Sequence, residues 1–322
     1  MPAMCGTDAR TQGCLMLRYA LAASVEFVLD SAMPYCAERW RPNLINDVSN
    51  QQRIAKMGNN SLLFPPMTTS HAASTHPQIT VICVRLATID DVLWPQLSAI
   101  LCAAELERAE RFHFERHRRQ FVAAHALKRL MLWHIAKLPP RDWVFETAPG
   151  GKPRVGSAAS PFFNLSHCDG LVACAVSREL DLGVDIEPLS REAPLAIAER
   201  MFAPAEQAWL RDQPEAEQSA GFFALWTLKE AFIKATGQGL QQDLRQIVFS
   251  LDPLRMQFLG QDRGQGETGY WWHFHQRPVD PDHILALAWN GPDAAVDCRT
   301  LGFEMLLDAG WNWSFDATRA DG

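Results

Sequence analysis

Leu182-Gly-Val-Asp-Ile-Glu-Pro188 is the stretch from which the rest of the chain can be read. In a strand, alternate side chains share a face, so Leu182, Val184 and Ile186 point one way and Asp185 and Glu187 the other. The apolar face suits a core. The opposite face presents two carboxylates whose Cα atoms lie about 7 Å apart. Such carboxylates repel unless a cation sits between them, and hard oxygen ligands suit Mg²⁺. The competing reading is an exposed strand edge with its acidic residues in water.

Downstream stands Trp226-Thr-Leu-Lys-Glu-Ala-Phe-Ile-Lys234. On a helix, Trp226, Glu230, Ile233 and Lys234 fall on one stripe with Lys229 beside it. A Glu and a Lys one turn apart are ordinarily a solvated pair worth a few tenths of a kcal/mol. Here they share the stripe with two large apolar residues, which fits a half-buried functional face equally well. Upstream lie Gly151-Lys152-Pro153 and Phe163-Asn-Leu-Ser166-His167. A Lys in a rigid turn, with a Ser and a His at a strand end, suits phosphate oxygens. Each segment alone also reads as a plain turn or a structural histidine. Arg108, Arg111, Arg116, Arg118 and Arg119 stand on or near the same basic helix, as further phosphate contacts or as solvated charges.

Around these segments, regular structure is expected to begin with a strand over 79–86. A helix over 105–136 follows, closed by Pro139-Pro140. Strands are expected over 143–145, 162–165, 171–176 and 182–187, helices over 204–211 and 221–236, and closing strands over 247–251, 271–275 and 284–289. This order points to an α+β chain of two similarly ordered halves. Residues 1–78 carry no lasting periodicity and read as an N-terminal extension, disordered or upstream of the true start, with Met57 and Met67 as alternative starts. A small helical cap is the other reading of that stretch.

The 322 residues are 48% apolar and 21% charged, enough for one large domain or two of average size. No uncharged apolar run reaches the length of a spanning helix, and Arg18 and Glu26 interrupt the nearest candidate, so neither a membrane span nor a secretory signal is expected. The net charge of −7 argues against a broad nucleic-acid-binding face while leaving room for a local basic pocket. Eight cysteines without a CxxC pair read as reduced thiols of a cytoplasmic protein. There is no Walker loop, GxGxxG after a strand, HExxH or nucleophile elbow.

Taken in order, Gly-Lys-Pro, Phe-Asn-Leu-Ser-His, Gly-Val-Asp-Ile-Glu and Trp-Thr-Leu-Lys-Glu-Ala-Phe-Ile-Lys resemble the 4'-phosphopantetheinyl transferase superfamily, Sfp type. The family couples a (V/I)G(V/I)D segment to a (W/F)xxKExxxK helix some forty-odd residues later, a spacing met here between Asp185 and Lys229. The likeness runs from about Ile79 to about Trp289 and takes in Phe202, Glu206, Gly237 and Leu240.

The resemblance implies transfer of 4'-phosphopantetheine from coenzyme A to a serine of an acyl, peptidyl or polyketide carrier protein, releasing adenosine 3',5'-bisphosphate. It implies a pseudo-twofold fold with the site in the cleft between halves 79–178 and 179–300, and a C-terminal tail over 301–322. Asp185, Glu187 and Glu230 would hold Mg²⁺, with Mn²⁺ as an alternative. Glu230 would also be the leading general base, directly or through water, and Lys234 would stabilise the leaving bisphosphate. Arg111, Lys152, Ser166, His167, Asp185, Lys229 and Lys234 would contact coenzyme A. A cytoplasmic monomer that binds neither nucleic acid nor membrane is expected. One departure stands out: the family arginine in His117-Arg-Arg-Gln-Phe121 is replaced by Gln120, which predicts weaker coenzyme binding unless Arg118 or Arg119 compensates. The alternatives are a catalytically silent binder of coenzyme A or carrier protein, and an unrelated Mg²⁺-dependent phosphohydrolase.

Overall fold

A run of β-branched residues, Ile79, Thr80, Val81, Ile82 and Val84, forms the first strand, β1 (Gln78–Arg85). The computed structural model describes residues 77–156, 161–239, 242–259 and 271–308; the expectations for residues 1–76, Leu240 and residues 309–322 lie outside these. After β1 come α1 (Trp94–Ile100), α2 (Ala103–Glu110) and α3 (Glu115–Ala136). A hairpin of β2 (Phe145–Thr147) and β3 (Pro153–Val155) follows, then β4 (Phe162–Cys168) and β5 (Leu171–Ser177). The single helix expected over 105–136 is therefore two. Phe114 takes an extended backbone (φ −102°, ψ 130°) as the N-cap of α3, and Phe112 turns inward to meet Phe121 with ring centroids 5.4 Å apart.

The same run of elements then recurs. It comprises β6 (Leu182–Pro188), α4 (Leu195–Met201), α5 (Pro204–Arg211) and α6 (Glu215–Thr236). The hairpin β7 (Ile247–Leu251) and β8 (Leu254–Phe258), β9 (Trp271–Asp280) and β10 (His283–Gly291) complete it. Helices α3 and α6 are both 22 residues long, and each stops at a left-handed residue, Lys137 (φ 61°) and Gly237 (φ 67°). Strand order repeats as well: β1-β5-β4 in one sheet and β6-β10-β9 in the other, antiparallel throughout. Strand β11 (Ala295–Thr300) crosses over and pairs parallel with β1. Helix α7 (Phe303–Leu307), within the stretch expected as a tail, buries Phe303 and Leu306 in the first core.

These pieces stack in four layers. Helix α3 covers one face of the first sheet through Leu127, Leu130 and Met131 against Ile82, Val84, Val172 and Cys174. Helix α6 covers the second sheet through Leu228, Ala231 and Phe232 against Ala286 and Ala288. Between the sheets, Val81, Cys83, Ala173 and Ala175 meet Leu182, Val184, Ile186, Leu285 and Leu287 in a third cluster. The sequence-level alternation of β6 is obeyed: its even-numbered residues face this middle layer. Its odd-numbered residues face α6.

Candidate active site

The site is made where β6 touches α6, and a glycine sets that contact. A Cβ on Gly183 would lie 2.2 Å from the Ala231 carbonyl oxygen and 2.3 Å from the Ala235 nitrogen, so only glycine lets the strand lie against the helix backbone. This approach brings Glu230 and Lys234 beside Asp185. The carboxylates are not at an exposed edge: Asp185 is 2%, Glu230 3% and Glu187 5% exposed.

Lys234 Nζ donates to Asp185 Oδ1 at 2.7 Å and to Ser166 Oγ at 2.9 Å, while Ser166 Oγ donates to the same Asp185 oxygen at 2.9 Å. Arg191 reaches Glu187 at 3.3 Å. The buried Oδ2 of Asp185 and Oε1 of Glu230 have no hydrogen-bond partner among the described residues. Burial, then the negative charge of Asp185, pushes Glu187 up to about 8 against the pull of Arg191. The same two causes push Glu230 up to about 7, against Lys234. A buried carboxylate oxygen without a partner is costly, and two of them beside a third acid form a donor set that fits a hard divalent cation. Among the described residues no three His, Cys, Asp or Glu side chains already converge closely enough to hold a metal ion.

Strand β6 is the edge of its sheet, and β4 stitches that edge with side chains. Asn164 Oδ1 accepts from the Val184 N–H at 3.0 Å, and Ser166 Oγ accepts from the Ile186 N–H at 3.3 Å. Ser166 thus joins the strand backbone, Asp185 and Lys234 at once, and Asn164, which sequence reasoning did not single out, shares the task. His167 follows on β4. Burial first, then the charges of Lys234, His125 and His117, pull it down to about 4, so its ring is neutral at pH 7. Gln120, on α3, lies 3.1 Å from its Nδ1. Arg118 and Arg119 pair with Glu115 on the outside of α3, and Arg119 also with Asp91.

Three other expected site residues lie elsewhere. Lys152 Nζ is engaged by Asp181 and by the carbonyls of Leu182 and Ala235, both at 2.9 Å, which uses all three of its hydrogens. It buckles the β2–β3 turn to the start of β6 and the end of α6. Gly150 in that turn presses on the α6 terminus so closely that a Cβ would overlap the Gly237 carbonyl. Lys229 is fully buried away from the carboxylates, with Glu206 at 2.8 Å and the carbonyls of Leu244 and Ile247 at 2.9 and 2.6 Å. Arg129 holds the equivalent place in α3, bonding Glu105 at 2.6 Å and the Pro140 and Trp143 carbonyls at 2.7 and 3.3 Å. Both glutamates also accept from the N-cap N–H of their own short helix, Cys102 and Ala203. The two cations therefore do the same job, bolting a long helix to the elements around it. Arg111 is exposed and pairs with Glu107 at 2.6 Å.

A sequence model described as the 4'-phosphopantetheinyl transferase superfamily matches residues 181–288, the span from β6 to β10 that carries the carboxylates. The chain is 38% identical to the 4'-phosphopantetheinyl transferase HetI of Nostoc sp. over 161 residues, 49% of this chain and 68% of that protein. It is 33% identical to the 4'-phosphopantetheinyl transferase psf-1 of Bacillus pumilus, across 66% of this chain and 88% of the relative. A putative 4'-phosphopantetheinyl transferase of Synechocystis sp., slr0495, is 30% identical across 64% and 86%. The chain belongs to the 4'-phosphopantetheinyl transferase superfamily. These relatives bear the names of transferases and lend no support to a silent binder or to an unrelated phosphohydrolase.

Proposed function

We propose that the protein transfers the 4'-phosphopantetheine group of coenzyme A to a serine hydroxyl of an acyl, peptidyl or polyketide carrier protein. Family membership supports the reaction class. The observation that carries the assignment of roles is the burial of three carboxylates together with Lys234 at one junction of β4, β6 and α6. In the reaction the serine oxygen forms a bond to the β-phosphorus, the one bearing the pantetheine arm. The bond from that phosphorus to the bridging pyrophosphate oxygen breaks, and adenosine 3',5'-bisphosphate leaves.

Asp185, Glu187 and Glu230 are the residues that would hold Mg²⁺ or Mn²⁺; a bound divalent ion supplies charge neutralisation to the pyrophosphate. Glu230, whose buried Oε1 lacks a hydrogen-bond partner among the described residues, would take the serine proton, directly or through one water. Lys234, fixed by Asp185 and Ser166, offers its ammonium to the departing phosphate, where charge grows as the bond breaks. His167 offers an N–H to a coenzyme phosphate. Lys152 holds the β6–α6 junction in shape, and Lys229 ties α6 to Glu206 and to the Leu244 and Ile247 carbonyls; neither contacts coenzyme A, since their donors are already spent within the protein. Every one of these groups comes from one chain, which supports a monomer, and coenzyme A as substrate supports a cytoplasmic site of action. The test is metal-dependent transfer from coenzyme A to an apo carrier protein, with loss of transfer on chelation and recovery with Mg²⁺.

A further inference from the structure

Lys234 and Arg191 both stand at the carboxylates, and they are held very differently. The Lys234 side chain is 8% exposed and pinned between Asp185 and Ser166. That of Arg191 is 43% exposed. Its guanidinium donates to Glu187 Oε2 at 3.3 Å and lies 5.0 Å from the ring centre of Phe223 on α6. The backbone is tied on either side of it: the Leu189 N–H donates to the Asp282 carbonyl at 2.7 Å, and the Ala193 N–H to Ser219 Oγ at 3.1 Å. The side chain is therefore free to swing outward while the turn between β6 and α4 keeps its place. Asp185 Oδ2 and Glu230 Oε1 wait without partners among the described residues, where no three acids converge closely enough to hold an ion. A guanidinium on Glu187 opposes an incoming divalent ion twice, by engaging the oxygen and by its charge.

We propose that Arg191 is a latch on Glu187: a positioning residue that engages this carboxylate in the metal-free protein and must release it before Asp185, Glu187 and Glu230 can hold a divalent cation together. This rests on the reading of those three acids as the cation ligands. Lys234 cannot play the part, since it is buried and leaves the second oxygen of Asp185 open. The direction of the effect follows from charge. The ion brings two positive charges, so even where it displaces one proton from the acids the site gains positive charge. Taking away a cation beside Glu187 therefore tightens ion binding.

The experiment is isothermal titration calorimetry of the full chain with Mg²⁺ alone, without coenzyme A, at pH 9, where the acids hold fewest protons. Arg191→Gln is expected to tighten Mg²⁺ binding about 10-fold, the scale of one charge about 5 Å from a divalent ion in a solvent-screened setting. Arg191→Met, which keeps the packing on Phe223, is the second neutral variant should the first fail to fold, and the same tightening is expected of it. Arg191→Lys keeps the charge and should bind Mg²⁺ as the wild type does. Unchanged or weaker binding in the neutral variants, or a lysine variant that tightens as much as they do, overturns the proposal. With the latch alone at fault, Asp185→Asn still loses Mg²⁺ binding. If the cation reading itself fails, wild type and Asp185→Asn give the same titration, which overturns the site and the latch with it.

Discussion

Two neighbouring lysines of one motif, Lys229 and Lys234, show how differently residues of one type can be used. Lys234 stands over Asp185 at the edge of the carboxylate cluster, while Lys229 is sealed against Glu206 on the other side of α6. Lys229→Met strands a buried glutamate and should cost about 3–5 kcal/mol, read as a large fall in Tm, with KM for coenzyme A unchanged in the folded fraction. Lys234→Met, which leaves the buried Asp185 without its cation, should lower Tm as well, but unlike Lys229→Met it should also lower kcat in the folded fraction. Equal effects of the two substitutions on both readouts would contradict this division of labour. Glu230→Gln should reduce kcat by about 10²–10⁴-fold without a fall in Tm, because it removes a buried charge that the fold disfavours. The residue types of the carboxylate cluster were legible from alternation in β6 and from the stripe on α6. The fates of Lys152 and Lys229 were not, because their partners are mainly backbone carbonyls contributed by other elements, which leave no mark in side-chain pattern.

Among the elements, the contact of β6 with α6 sets the geometry of the site. Gly183→Ala forces helix and strand apart, since both atoms its Cβ would meet belong to the helix backbone. The expected cost is about 1–3 kcal/mol of stability, together with weaker activation by Mg²⁺, because Asp185 and Glu230 sit on the two elements being separated. A titration of activity against Mg²⁺ checks this, and a Gly183→Ala protein with wild-type activation would count against it. Strands β1, β4, β5, β6, β7 and β10 announce themselves by composition, and α6 by its motif. The break between α2 and α3 does not, since apolar residues keep helical spacing across Phe112 and Phe114 and only the extended backbone at Phe114 ends the run. Strand β11 was equally hidden: Ala295–Thr300 mixes small, acidic and basic residues, and only its partner β1 makes it a strand.

At the scale of the whole molecule, two runs of like elements share a buried middle layer, and the site draws on both, with Ser166 and His167 from one and Asp185, Glu187, Glu230 and Lys234 from the other. The doubled order was readable from the chain because each long helix is followed by a hairpin and two strands. The crossing of β11 to the first sheet was not, because it depends on where the sheets lie and not on local pattern. Assembling three acids out of water has a cost with a definite sign. A carboxylate held above its ordinary value favours folding fully at low pH, and that contribution is lost as pH rises through the folded value. With Glu187 at about 8 and Glu230 at about 7, Tm in chelator should fall between about pH 6.5 and 8.5, above the range in which the buried histidines titrate, and Mg²⁺ should restore most of it at the upper end. His125, His134 and His167, each pulled down to about 4 by burial first, act oppositely and lose stability as pH falls below about 6.5. A chelator-treated protein whose Tm neither falls toward pH 8.5 nor responds to Mg²⁺ would contradict the cation site.

The central claim is that the β4–β6–α6 junction catalyses phosphopantetheinyl transfer. Mass spectrometry of an apo carrier protein, incubated with coenzyme A, Mg²⁺ and either wild-type protein or Glu230→Gln, tests it most directly. The account predicts that the carrier gains the mass of one phosphopantetheine with wild-type protein and gains nothing over the same time with the variant. A carrier modified equally by both, or by neither across acyl, peptidyl and polyketide types, would contradict it.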